Sequence, residues 1–324
     1  MSQVKVVLIG TGGWWPEQHI RVLQAHSDID LVAICGRDAK TIEERAAKHG
    51  VNGYTDVDKL LDTEKPDLVS LCLSNKHHFE TTMKVIEKGY PLFVEKPLVF
   101  HMDEANQLIE AADKKDLFFA LNFNHRYAKP VQLAHQAIQA GKLGDINFVT
   151  WRFGGDGPNS LEHENLIETQ CHGFDMLEFL CGPIQSVAAQ MLNTDRKNST
   201  MAIALNFQKG AVGSLVGSYD TSYAYPDTHR VEVNGNKGRV VIHDTVKKYS
   251  FHELDNEIYQ VWESGYFNDI DREFHRTFDK HLDVMIQHFK DGKAPPVHAK
   301  AGRRALELAQ ACIKSYENKT FVEV

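Results

Sequence analysis

A lysine closes a short apolar run in the stretch Leu92-Phe93-Val94-Glu95-Lys96-Pro97. An ammonium at the mouth of a buried strand is costly unless it is paired or used. The proline after it biases Lys96 towards extended backbone and allows a cis bond. Lys96 is therefore expected at the carboxyl end of a strand, where open α/β sheets bind their ligands. There it can polarise an oxygen and stabilise developing alkoxide charge. Farther along, Glu168, His172 and Asp175 fall at i, i+4 and i+7, which is one face of a helix. Histidine titrates near neutral pH, so His172 is a candidate acid or base. Glu168 would hold its ring or a substrate hydroxyl, and Asp175 reads as structural. An amine and an imidazole of this kind suit hydride transfer at a carbon bearing oxygen, where that oxygen needs a proton partner.

The elements that must position Lys96 read as alternating strands and helices. Val4–Ile9 is a β-branched strand ending at Gly10-Thr11-Gly12-Gly13, and a helix is expected over about Glu17–Ala25. Strand, glycine turn and helix together form the setting of a dinucleotide site. Gly10 makes the tight turn, Gly12 lets the backbone approach a pyrophosphate, and the helix N-terminus offers its N–H groups. Trp15 stands where a third glycine would be, and Trp14-Trp15-Pro16 lengthens the turn. A second strand, Ile29–Cys35, ends in Gly36-Arg37-Asp38. With Gly36 in the place of an acidic ribose-binding residue, and Arg37 able to pair a 2′-phosphate, NADP is expected in preference to NAD. Asp38 could shift that preference or simply cap the helix Ala39–His49. A helix to Leu61, a strand over Pro66–Leu73, the segment Ser74-Asn75-Lys76-His77-His78 and a helix over Phe79–Lys88, closed by Gly89, precede the Lys96 strand. A helix over Met102–Lys115 and a strand over Leu117–Asn122 complete a doubly wound parallel sheet.

Bulk properties narrow the function. The 324 residues suffice for two domains, and the net charge of −8 without a basic run argues against a nucleic-acid partner. No apolar run approaches 18 residues and no leader is visible, so no membrane association is expected. The five cysteines (Cys35, Cys72, Cys171, Cys181, Cys312) are scattered, as reduced cytoplasmic thiols are. No His-x-x-x-His or Cys-x-x-Cys spacing points to a metal.

Gly10-Thr11-Gly12, Asn75-Lys76-His77-His78 and Glu95-Lys96-Pro97, in this order and spacing, resemble the glucose-fructose oxidoreductase / inositol dehydrogenase / MocA family. The resemblance runs the length of the chain. Phe123-Asn124-His125-Arg126-Tyr127 is similar to the family's entry into its second domain, and Gly141–Ile146 to its helix exit into a large sheet. Glu168–Asp175 stands in place of its D-x-G-x-H-x-x-D motif, and 278–316 resembles its closing helices. Trp15, Glu168 and Gln170 depart from the pattern, the last two standing where Asp and Gly are usual.

The resemblance implies a Rossmann domain over 1–122 and, over 123–324, an α+β domain with a large open, mainly antiparallel sheet. The latter binds substrate and mediates oligomerisation, and its closing helices can pack back on the first domain. It implies an NAD(P)-dependent oxidoreductase acting on a hydroxyl or ketone of a sugar- or polyol-like substrate, as a homodimer or homotetramer. An NAD-dependent glycosidase and a non-catalytic dinucleotide-binding regulator are the alternatives. The expected cofactor contacts are Gly10, Thr11, Gly12, Gly13, Trp14, Trp15, Gly36, Arg37, Ser74, Asn75, His78, Glu95 and Lys96. Lys96, His172 and Glu168 are expected to be catalytic, the first two meeting on one reacting oxygen. Asn124, Arg126, Tyr127 and Arg152 are substrate candidates. Strands over Asn147–Phe153, Ile184–Leu192, Met201–Phe207, Val212–Tyr219, Arg230–Val233 and Arg239–His243, with Leu161–Leu180 helical, supply the second domain.

Overall fold

A computed structural model describes residues 3–157, 160–192 and 197–324; Pro158, at the end of the expected glycine loop, lies outside them, as does the side chain of Asn75. The chain divides into two compact units, 1–122 with 278–303, and 123–277 with 304–324.

The first unit is built on β1 (Val4–Ile9), α1 (Trp15–Ala25), β2 (Ile29–Cys35), α2 (Ala39–His49), β3 (Asn52–Tyr54), α3 (Val57–Glu64), β4 (Leu68–Leu71), α4 (His78–Glu87), β5 (Leu92–Val94), α5 (Met102–Lys114) and β6 (Phe119–Leu121). Its six strands are parallel, in the order β3-β2-β1-β4-β5-β6. Val6, Val7 and Leu8 are wholly buried, which is why β1 reads from Val6 onward as a continuous apolar run rather than an alternating one. The strand order reverses between β1 and β4, the point at which such sheets open a crevice for ligands.

Glycines allow the close approach there. Gly10 has a φ of +105°, and a Cβ on it would stand 2.0 Å from the Cys72 carbonyl oxygen just past β4. A Cβ on Gly36 would stand 2.1 Å from Thr11 Oγ1. Asp38 caps α2 by accepting from the Thr41 N–H at 2.7 Å, and Asp56 caps α3 in the same way. Two expectations shift. Helix α1 begins at Trp15 rather than Glu17, and β3 is an extra strand whose short, largely exposed Asn-Gly-Tyr sequence carries no strand signal.

The second unit contains α6 (Lys129–Gln139), β7 (Ile146–Gly154), α7 (Cys171–Cys181), β8 (Ile184–Leu192), β9 (Thr200–Phe207), β10 (Val212–Ser218), β11 (His229–Gly235), β12 (Gly238–His243), β13 (Lys248–Glu253), β14 (Gln260–Glu263), α8 (Asp269–Arg272) and β15 (Val322–Glu323). Helices α9 (Arg276–Lys290) and α10 (Ala299–Asn318) divide between the units by residue number. The nine-stranded sheet runs β14-β13-β12-β11-β7-β10-β9-β8-β15. Its pairings are antiparallel except β7 with β10. Strands β13 and β14 extend it beyond the runs that alternation picks out.

Helix α7 packs closely on this sheet, since a Cβ on Gly173 would meet the Trp151 ring at 2.8 Å. On the opposite face Phe148, Val212 and Val216 are exposed. No helix among the described residues is long and apolar enough to cross a membrane. Gly10→Ala should destabilise the protein by about 3 kcal/mol, combining an unfavourable φ with a backbone clash. Urea titration with unchanged cooperativity checks this.

Candidate functional site

The carboxyl edge of the first sheet fits a dinucleotide. Nothing lies within 4 Å of a Cβ built on Gly12 or Gly13, so the backbone there faces open space. Helix α1 starts directly after them, and its N-cap Trp14 makes no side-chain capping bond. The first N–H groups of a helix lack intrahelical partners and favour an anion, so this turn can hold a pyrophosphate. Trp14 is 60% exposed at the turn. Trp15 instead turns its ring towards Phe278 and His19, with centroids at 6.0 and 6.3 Å. Thr11 is buried, Ser74 is exposed, and Asn75 enters a short 3-10 turn ahead of α4.

Beneath this edge lies a buried polar network. Glu95 Oε1 accepts from His19 Nε2 and from Asn122 Nδ2, both at 2.6 Å. His19 Nδ1 lies 3.1 Å from Ser70 Oγ, and His281 Nδ1 lies 2.8 Å from Asn122 Oδ1. Burial pushes the Glu95 carboxyl up, but His19, Asn122 and the Lys96 charge together hold it below the ordinary carboxylate range. His78 directs its two ring nitrogens at the carbonyls of Leu98 and Leu73, at 3.3 and 3.0 Å, and burial lowers its pKa. Both residues were expected at the cofactor. In the structure each is at most 4% exposed and is engaged with the protein itself. Lys96 is half-buried immediately after β5, its peptide bond to Pro97 is cis, and its charge is felt at Cys72 and His78.

Sequence reasoning missed Ser70, Asn122 and His281. Asn122 had a signal. Val94 pairs with Leu121 in the sheet, so the residues one step beyond, Glu95 and Asn122, end side by side. His281, far along the chain, had none.

The second unit gathers the other candidates around the start of α7. Residues Asn165–Thr169 form a π-helical turn, closed by the Gln170 N–H on the Asn165 carbonyl at 2.9 Å, and α7 follows. The expectation of one α-helical face carrying Glu168, His172 and Asp175 fails here, because a wider turn adds a residue before α7. His172 is 6% exposed and stacks on His125, centroids 3.9 Å apart and planes 10° apart. Phe123 meets His172 edge-on at 5.7 Å. Glu168 is half-buried, and its carbonyl accepts from Cys171 Sγ.

Two substrate candidates are paired within the protein. Arg126 grips the buried Asp175 carboxylate with two donors, one at 2.8 Å, and lies over the Phe179 ring. It is thus spent on a structural ion pair. Arg152 points to the opposite sheet face from its neighbour Trp151 and pairs with Asp227, because strand residues alternate sides. Asn124 is buried and donates to Thr277 Oγ1 at 2.8 Å. Tyr127 is half-buried, and burial pushes its phenol up to about 12, keeping it a donor at neutral pH.

A family model described as "oxidoreductase family, NAD-binding Rossmann fold" matches residues 4–123, and its partner, "oxidoreductase family, C-terminal alpha/beta domain", matches 135–324. The chain belongs to this glucose-fructose oxidoreductase / inositol dehydrogenase / MocA family. It is 25% identical to a myo-inositol 2-dehydrogenase of Thermotoga maritima, with 94% of each chain covered. It is 30% identical to a D-glucoside 3-dehydrogenase of Escherichia coli over 47% of this chain and 43% of that one. In fold it is similar to the WlbA dehydrogenase of Bordetella pertussis, solved with NADH and UDP-GlcNAcA, at a TM-score of 0.84 and 20% identity, with 100% of this chain and 98% of that one covered.

The matched model overturns the expected preference for NADP: the first unit is an NAD-binding fold. Arg37, on which that expectation rested, is exposed and donates to His77 Nε2 at 2.9 Å, and Asp38 is committed to capping α2. The protein is an NAD-dependent oxidoreductase.

One buried group gives a pH test of the second unit. His229 is 3% exposed, and burial lowers its pKa to about 3. An unfolded histidine takes its proton near 6.5, so the unfolded state gains protons first. The stability that the neutral ring contributes is complete above that value and is lost as the pH falls towards 3. Between pH 8 and pH 5 this amounts to roughly 2 kcal/mol. His229→Phe should flatten the stability–pH curve by that amount, as measured by urea unfolding at a series of pH values.

Proposed function

We propose that this protein is an NAD-dependent dehydrogenase of a secondary alcohol on a sugar- or polyol-like substrate. The observation that carries the reading is Lys96, half-buried one residue past Glu95 at the carboxyl edge of a sheet whose first turn fits a pyrophosphate. The two relatives named above, a myo-inositol and a D-glucoside dehydrogenase, support the substrate class. Bound NAD would supply the hydride acceptor or donor. The Gly10–Gly13 turn, the α1 N-terminus and Gly36 would hold it. Lys96 would polarise the substrate oxygen and stabilise its developing negative charge. His172 would exchange the hydroxyl proton as general base or acid, and Glu168 would orient substrate or ring. Tyr127 and Asn124 remain substrate-contact candidates.

The test is a panel of polyols and sugars with NAD⁺, and of the corresponding ketones with NADH, read at the nicotinamide absorbance. Lys96→Met should lower kcat by 100-fold or more while keeping NAD affinity within several-fold. Full activity in that variant, or sugar release without net cofactor turnover, would sink the reading.

For assembly, we propose a homo-oligomer formed through the open face of the nine-stranded sheet, where exposed Phe148, Val212 and Val216 accompany small residues such as Ala202 and Ala204. Val216→Arg should convert the wild-type oligomer to monomer in light scattering. A monomeric wild type would refute it.

A further inference from the structure

We propose that Arg45 on α2 is a positioning residue for the cofactor: its guanidinium holds the Gly13 carbonyl and so keeps the glycine turn in the shape that receives the NAD pyrophosphate. This rests on the reading of the Gly10–Gly13 turn as the pyrophosphate site.

The turn is loose by composition. Gly12 and Gly13 are exposed, and a Cβ on either would meet nothing within 4 Å. Gly13 has a φ of +82°. Glycine loses more backbone freedom on ordering than any other residue, and a ligand that must order its own site binds less tightly. The N-cap Trp14 adds no side-chain capping bond. Arg45 supplies a tie from outside: its Nη2 donates to the Gly13 carbonyl oxygen at 3.2 Å. In a trans peptide the N–H points opposite to the C=O. Fixing the Gly13 carbonyl towards α2 therefore turns the Trp14 N–H away from α2. One bond thus sets the direction of a donor at the α1 N-terminus.

Arg45 is itself held. Its Nη1 is buried and faces Glu17 Oε2, in the first turn of α1, at 3.8 Å. Glu17 gives its other oxygen to Lys48 and to His49 Nε2, the latter at 3.0 Å. Arg45, Lys48 and His49 stand at i, i+3 and i+4, so one face of α2 carries all three. His49 also bonds Gln24, farther along α1, through its ring Nδ1 at 3.1 Å and its carbonyl at 2.7 Å. These bonds tie α2 to α1 at two levels and bring the guanidinium to the point where it spans the turn and the helix behind it. A lysine ammonium cannot span Gly13 and Glu17 as a fork of two nitrogens does.

The same cations answer a charge problem. A carboxylate in the first turn of a helix occupies the field that otherwise favours a phosphate. Glu17 stays ionised, since Lys48 and then His49 hold its carboxyl below the usual range against the opposing effect of burial. Arg45 and Lys48 together outweigh that single negative charge, which leaves the turn attractive to an anion.

The test is calorimetric titration of the full-length enzyme with NADH, at a temperature where every variant is folded by circular dichroism. Arg45→Met keeps the aliphatic stem and removes the donors, and it should weaken NADH binding about 10-fold. Arg45→Lys should weaken it about three-fold. With the polyol or sugar that the enzyme turns over, KM for NAD⁺ should rise by the same factors while kcat at saturating NAD⁺ keeps its wild-type value. A residue that merely stabilised the first unit would lower the melting temperature and leave NADH affinity alone, and that outcome overturns the proposal. Where Arg45→Met folds poorly, Arg45→Lys decides: wild-type affinity in it overturns the proposal as well.

Gly12→Val separates the two ideas. A side chain there has room in the free protein, so the fold is kept, but it fills the place of a pyrophosphate. Lost NADH binding in Gly12→Val with wild-type affinity in both Arg45 variants removes Arg45 alone. Wild-type affinity in Gly12→Val removes the turn as the pyrophosphate site, and this proposal with it.

Discussion

A buried carboxylate organises the first unit. Glu95 is 4% exposed, and taking such a charge out of water costs several kcal/mol unless partners replace the lost solvent. Here they come from separate parts of the chain: His19 on α1, Asn122 past β6 and, through Asn122, His281 on α9. Each must arrive at one point for the charge to be tolerated. The network therefore fixes the helix after the glycine turn, the ends of two neighbouring strands and a late helix in one arrangement. Lys96 is the next residue in the chain. Its backbone is set by the requirement that its neighbour be satisfied, so the residue proposed for chemistry inherits its position from a buried carboxylate.

The second unit places its proposed base differently. His172 sits just inside α7, and α7 is drawn against the sheet by small residues and one amide. Gly173 lets the Trp151 ring approach, and Asp175 is held by Arg126 on the segment that also carries His125. The ion pair and the histidine stack thus join the same two segments, Asn124–Tyr127 and α7. The pair anchors them so that the rings can lie parallel at van der Waals distance.

Much of the fold was legible because it is written in local pattern. Apolar runs between glycines gave the parallel strands, and alternation gave most of the antiparallel ones. What escaped was short or polar: β3 has three residues, and β13 and β14 follow turns with no clear signal. Of the candidate site, the position of Lys96 just past a parallel strand was legible, because the apolar run before it is local. Glu95 and His78 read as ligand contacts because sequence places them at strand and helix ends; what sequence does not report is their depth within the fold and the protein partners they meet there. The NADP expectation failed for a related reason. Arg37 was judged by its type, whereas its guanidinium is engaged by His77, a residue 40 positions away.

Gln170 shows how a departure from a family pattern can be absorbed rather than functional. Where the family usually has glycine, a glutamine before α7 should push the helix off the sheet. Instead its side chain lies in the interface. Its Oε1 accepts from the Trp151 ring N–H at 2.9 Å, and its Nε2 donates to Asn165 Oδ1 at 3.0 Å. The room comes from the facing strand: a Cβ on Gly217 would meet the Gln170 side chain at 2.5 Å. The amide fills the space that Gly217 leaves while satisfying its own buried polar atoms. The same residue closes the π turn through its backbone N–H. The wider turn changes where Glu168 points relative to His172.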